Sequence, residues 1–124
     1  MKLRVGSNSV RLRLTQTEVA KLQDQGECSE SVLFPGGACL GYSLQASDSA
    51  AVEAKFEQST VKIAVPRQEI KKWSSTSAVG IYATVDAAGV ALKVLIEKDF
   101  RCLDNTQEDQ SDMFAHPGAG KLSC

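Results

Sequence analysis

Two short segments near the N-terminus carry cations at alternate positions. Lys2 and Arg4 alternate with apolar residues in the first segment, and Arg11 and Arg13 do so in the second. Since a strand sends alternate side chains to opposite faces, each pair shares one face. If the strands are neighbours, the four cations form one surface suited to an acidic or phosphate-bearing partner. By its position in the sequence pattern, Lys62 joins this set. The alternative is a solvated face whose charges discourage edge aggregation.

Two carboxylates, Glu97 and Asp99, follow a strongly apolar stretch and flank a lysine. On a strand they share one face, where they can raise each other's pKa, bind a cation or transfer protons. The alternative is a strand end entering solvent with its charges satisfied by neighbours. Cys102 is the third candidate catalytic residue. His116 is the single histidine, and the sequence between the two residues shows no nucleophile motif and no metal-ligand spacing. We expect no metal site and no cofactor.

The amino-acid composition limits the classes of function that the protein can have. The 124 residues suit one domain, and 43% apolar content excludes wholesale disorder. A net charge of −1 disfavours a general nucleic-acid binder. No apolar run approaches the roughly 20 residues of a membrane helix, and no apolar leader is visible, so we expect a cytoplasmic protein without membrane contact. The chain lacks the common catalytic and phosphate-binding motifs, which favours a protein without catalysis.

The elements that position these residues follow a pattern that occurs twice. Residues 10–22 alternate in polarity, break at a helix-start residue and then place apolar residues at helical spacing; residues 61–73 repeat the pattern 51 positions later. Thr15 and Glu18 form a capping box for the first helix, and Pro66 opens the second. Glycine-containing turns at residues 35–37 and 86–89 predict a hairpin after each helix.

These elements predict an α+β fold. We expect a mostly antiparallel sheet or partly closed barrel built from two strand–helix–hairpin repeats with two short helices. The single duplicated domain covers residues 1–103, with halves of about 1–50 and 51–103. Residues 104–124 are acidic and rich in glycine near their end, and we predict a mobile tail there.

Several stretches carry a family resemblance: residues 1–5, 8–16, 96–100 and 102–103, followed by acidic residues and Phe114. They resemble an uncharacterised family of small bacterial proteins with no established activity, from which residues 115–117 depart. Each half is also similar, more weakly, to the swapped-hairpin unit of AbrB-type transcription regulators; residues 65–70 lie closest to that pattern.

We interpret the chain as a small cytoplasmic binding or regulatory module, a monomer or homodimer, whose contact surface is formed by Lys2, Arg4, Arg11 and Arg13. One alternative is a small enzyme or metal-binding protein that uses Glu97 and Asp99. A second is an AbrB-like DNA-binding protein, which would dimerise and bind duplex DNA in a salt-dependent manner.

Overall fold

The structure, a computed structural model, describes residues 1–100. The predicted tail 104–124 and the candidates Cys102 and His116 therefore lie outside the described residues. Within residues 1–100, ten elements follow one another: β1 (Lys2–Gly6), β2 (Ser9–Leu14), α1 (Gln16–Gln25), β3 (Glu27–Leu33), β4 (Cys39–Ser47), β5 (Glu53–Glu57), β6 (Thr60–Pro66), α2 (Arg67–Ser75), β7 (Gly80–Ala87) and β8 (Val90–Lys98).

Helix α1 begins at the predicted capping box. The Thr15 hydroxyl accepts a hydrogen bond from the Glu18 backbone N–H at 3.3 Å, and the Glu18 carboxylate accepts one from the Thr15 N–H at 2.9 Å. The helix ends at Gly26, whose φ of 79° lies in the left-handed region that favours glycine. Its N–H donates to the Leu22 carbonyl, so both ends of this short helix are satisfied locally.

Helix α2 follows Pro66, as predicted, and buries Ile70 and Trp73. The Trp73 indole N–H donates to the Val79 carbonyl at 3.1 Å, and this bond ties the helix to the approach of β7. Lys98 lies 6.0 Å from the centroid of the same ring. The helical spacing in the sequence therefore placed the buried residues of α2 correctly.

The strands form two sheets that exchange hairpins between the halves of the chain. The first sheet has the order β1-β2-β8-β7 and the second β3-β4-β6-β5. The outer pairs are antiparallel, whereas the central pairs β2/β8 and β4/β6 are parallel. The predicted single, mostly antiparallel sheet or partly closed barrel is thus replaced by two open mixed sheets. Short turns dictate the antiparallel hairpins, but long-range pairing of hairpins from different halves creates the parallel contacts.

One hydrophobic core joins the two sheets and the two helices. The strands contribute alternate residues to this core, and their other residues are mostly accessible, although Ser43 is buried. No helix in residues 1–100 is long and apolar enough to cross a membrane. The side chains with least exposure are Leu12, Leu14, Leu22, Leu44, Ile63, Val65, Trp73, Val94 and Ile96.

Candidate anion-binding face

The strand register brings the four predicted cations onto one surface. In the antiparallel pair β1/β2, Lys2 is directly opposite Arg13 and Arg4 is directly opposite Arg11. Directly opposed residues point to the same side of a sheet. Their neighbours Leu3 and the buried Leu12 are the alternate, inward set. Lys2, Arg4, Arg11 and Arg13 therefore lie on the outer side of the first sheet, here named the basic face.

The two candidate carboxylates lie against this face as counterions. Glu97 is opposite Arg13 in the parallel pair β2/β8. Its Oε1 lies 3.3 Å from Arg11 Nε and 3.7 Å from Arg13 Nε. Asp99 lies just beyond β8, with its Oδ2 3.1 Å from Lys2 Nζ. The carboxylates are thus held by different cations instead of facing a common ligand.

The second oxygen of Glu97 is also occupied. The Tyr82 hydroxyl donates to Glu97 Oε2 at 2.9 Å. Burial and this bond to the carboxylate raise the pKa of Tyr82 above its ordinary value, because both disfavour the phenolate. With both oxygens engaged, Glu97 is positioned as a structural anion. Among residues 1–100, no cluster of three or more His, Cys, Asp or Glu side chains has the geometry of a metal site.

Asp99 also lines a separate groove of about 550 Å³ between the two helices and the end of β8. The groove is lined partly by Leu14, Val19 and Phe100, and its other polar groups are amide, hydroxyl and ammonium groups. Glu97 does not line it. The groove therefore offers one carboxylate, already paired with Lys2, which is a weak basis for general acid–base chemistry.

A small depression opens at the end of the basic face farthest from Glu97. Its volume is about 160 Å³, and its lining comprises Arg4, Gly6, Ser9, Arg11 and Leu95. Gly6 and Ser9 are paired in the register, and a Cβ at Gly6 would come within 2.9 Å of the Ser9 Oγ. Glycine at position 6 therefore leaves the hydroxyl room in a depression that Arg4 and Arg11 also line. A hydroxyl donor and two planar cations together suit a small oxyanion.

Compensation of charge is uneven along the face. Lys2, Arg11 and Arg13 each have a carboxylate partner, whereas Arg4 has none among residues 1–100. The row that contains Arg4 continues through Arg11 to Leu95 and Tyr82, with no acidic side chain in it. The uncompensated positive charge is consequently concentrated beside the Ser9 depression.

Lys62, predicted to join these cations, lies on the outer face of the second sheet, so that prediction is wrong. It is opposite Lys55 and 3.3 Å from Glu57 Oε1. The cavity there, about 370 Å³, is also lined by Glu27 and Glu53. The halves exchange hairpins, so corresponding strands belong to different sheets. The second sheet therefore offers a matched surface in which acids surround the lysines.

Sequence reasoning did not select Gly6, Ser9, Leu95 or Tyr82. Gly6 and Ser9 flank a short turn, and Leu95 is one of several apolar residues in its stretch, so no local pattern distinguishes them. The alternation of β7 would have placed Tyr82 on the outer face. Its position in the same row as Arg11 depends on the strand order, which no local pattern reveals.

Comparison with known proteins gives the chain a family without an activity. Neither a curated protein nor a solved structure matches it significantly. Residues 1–118 match the model of a family of unknown function, DUF7009. This match confirms the predicted resemblance to an uncharacterised family. The chain belongs to this family of unknown function.

Proposed function

We propose that the protein is a binding module that recognises an anionic group, phosphate or carboxylate, of its partner through the basic face. The observation that carries the proposal is the direct opposition of Arg4 and Arg11 in a row without an acidic residue. Like charges directly opposite each other destabilise a sheet. A bound anion relieves this repulsion, so the arrangement favours binding at the expense of stability.

The depression beside the pair supports the same function. Ser9 supplies a hydroxyl donor, and Lys93, opposite Ser9 in the register, adds a third cation near this end. Arg4 is exposed and Arg11 is half-buried, so one guanidinium is anchored and the other is accessible. Anchored guanidinium groups bind oxyanions with little further loss of side-chain freedom.

In this function Glu97 and Asp99 are counterions of the basic face and take part in no catalytic step. Their ion pairs with Arg11, Arg13 and Lys2 support this assignment. A cytoplasmic location and a monomeric or homodimeric state are further parts of the proposal.

A second candidate is an AbrB-like DNA-binding protein with two fused repeats. Both halves have the element order strand, strand, helix, strand, strand, and each sheet combines one hairpin from each half. This exchange is what the swapped-hairpin likeness implies. On this alternative, the basic face contacts phosphates of duplex DNA, and affinity falls steeply as salt increases.

Nuclear magnetic resonance of ¹⁵N-labelled protein tests the first proposal. Pyrophosphate is titrated at low ionic strength while the side-chain Nε–H signals of Arg4 and Arg11 are followed. Both signals should shift, and Arg4→Gln should weaken binding by at least about tenfold, since a hydrogen bond to a charged group contributes about 1.5–3 kcal/mol. Lys62→Gln is the matched control and should leave the affinity unchanged.

The outcomes separate the candidates. Unchanged Arg4 and Arg11 signals, or equal losses in Arg4→Gln and Lys62→Gln, would refute recognition at the basic face. A 20-base-pair DNA duplex titrated in the same way serves the second candidate. Tight, strongly salt-dependent duplex binding with negligible response to pyrophosphate would favour the DNA-binding protein.

A further inference from the structure

We infer that the anionic group belongs to a nucleotide, whose base stacks on Tyr82 while its phosphates bind between Arg11 and Arg4. This inference rests on the proposed function, because it names the ligand class of the same face. It adds an aromatic and apolar surface next to the basic face, which a bare phosphate would not contact.

The extension begins with the row that crosses the first sheet. Tyr82 on β7 is opposite Leu95, Leu95 is opposite Arg11, and Arg11 is opposite Arg4. Adjacent strands lie about 4.8 Å apart, so the backbone of Tyr82 is about 10 Å from that of Arg11 and about 14 Å from that of Arg4. Along the backbone, the row therefore carries an aromatic residue, an apolar residue and two cationic residues, the order in which a nucleotide carries its base, sugar and phosphates.

The Tyr82 side chain is held along the sheet surface. Its phenol end occupies the space of a side chain at position 80, where a Cβ would lie 2.9 Å from Cζ and 2.8 Å from the hydroxyl oxygen. Gly80 therefore permits this orientation. The hydroxyl is tethered to Glu97 at 2.9 Å, and Arg11 and Arg13 hold Glu97 in turn.

Tyr82 nevertheless remains accessible, with 57% of its surface exposed. An exposed aromatic ring on a sheet that is fixed at its far end is a stacking platform, and such platforms accept any base because every base has a π face. Leu95 is half-buried beside it and offers an apolar contact for the sugar. Apolar and aromatic groups at this point indicate a ligand with a flat apolar portion next to its charge.

The charges of the face are compatible with this ligand. The carboxylate nearest Tyr82 is Glu97, and its charge is balanced by Arg11 and Arg13. A guanidinium group has five N–H donors, so Arg11 can hold Glu97 through Nε and still donate to a phosphate. Arg4 and Ser9 complete the phosphate end at the depression.

Isothermal titration calorimetry at low ionic strength tests the inference with adenosine triphosphate and tripolyphosphate, which share a phosphate chain but differ in the nucleoside. We expect the nucleotide to bind about 5- to 150-fold more tightly, the range for stacking of one base on an aromatic side chain. Tyr82→Leu should abolish this difference by weakening nucleotide binding, whereas Tyr82→Phe should retain most of it. Arg4→Gln should weaken both ligands.

Thr84→Leu is the matched control, because Thr84 lies on the same face of β7 but in the next row. It should preserve the preference for the nucleotide, and Trp73 fluorescence should show that every variant is folded. Equal affinities for the two ligands would overturn the inference while leaving the anion-binding proposal intact. Failure of both ligands to bind would overturn both. An equal loss of preference in Thr84→Leu and Tyr82→Leu would also refute stacking on Tyr82.

Discussion

Removing the charge of Arg4 should make the protein more stable while weakening its binding of anions. Arg4 is directly opposite Arg11 and has no carboxylate partner among residues 1–100. Opposed like charges destabilise a sheet, and favourable cross-strand pairs contribute about 0.2–1 kcal/mol, which we take as the scale of the effect. Because Arg4 is exposed, solvent screens part of the repulsion. We therefore expect Arg4→Gln to raise the free energy of unfolding by about 0.2–0.6 kcal/mol, or about 1–4 °C in Tm.

Thermal unfolding followed by circular dichroism at low salt measures this gain. Repeating the measurement in 1 M NaCl tests whether the gain is electrostatic. The Debye length falls to about 3 Å at 1 M salt, so the gain should nearly vanish there. Arg13→Gln is the matched control: Arg13 is also opposite a cation, Lys2, but lies 3.7 Å from Glu97. It should produce no gain. A lower Tm for Arg4→Gln at low salt, or a gain independent of salt, would refute the reasoning.

Three further predictions concern stability. Gly26→Ala should lower the free energy of unfolding by about 1 kcal/mol in urea denaturation, because φ is 79° and no neighbour other than Arg67, at 3.8 Å, is close to the new Cβ. Leu44→Ala should cost about 2–5 kcal/mol, measured by Trp73 fluorescence, because Leu44 is fully buried. Burial raises the pKa of Glu18, but hydrogen bonds from the Met1 ammonium and Thr15 outweigh burial and lower the pKa overall. The free energy of unfolding should therefore fall as the pH drops below about 4.5. Glu18→Gln should make this pH dependence less steep. The first two predictions would be contradicted by an unchanged urea midpoint in Gly26→Ala or in Leu44→Ala. The third would be contradicted if the stability of Glu18→Gln fell as steeply at acid pH as that of the unsubstituted protein.

The site could be predicted only in part. The alternation of Lys2, Arg4, Arg11 and Arg13 correctly placed each pair on one face, because side-chain direction in a strand depends only on the backbone repeat. A single surface of four cations was conditional on the pairing of β1 with β2, which a short turn favours and the strand register shows. The neighbours contributed by β8 and β7 were not predictable in this way, since they come from the far end of the chain. Glu97 therefore looked like half of a carboxylate pair and is instead a partner of two arginines.

What the sequence determined by itself is local: the capping box at Thr15 and Glu18, the left-handed stop at Gly26, the start of α2 after Pro66 and the alternation of each strand. These features depend on residues only a few positions apart, so their physical causes are contained in short segments. Tertiary structure decided which hairpins share a sheet, and hence the parallel central pairs, the separation of Lys62 from the basic face and the row from Tyr82 to Arg4. Those choices depend on burying one common core from both halves, and many pairings satisfy the same local patterns until that core is assembled.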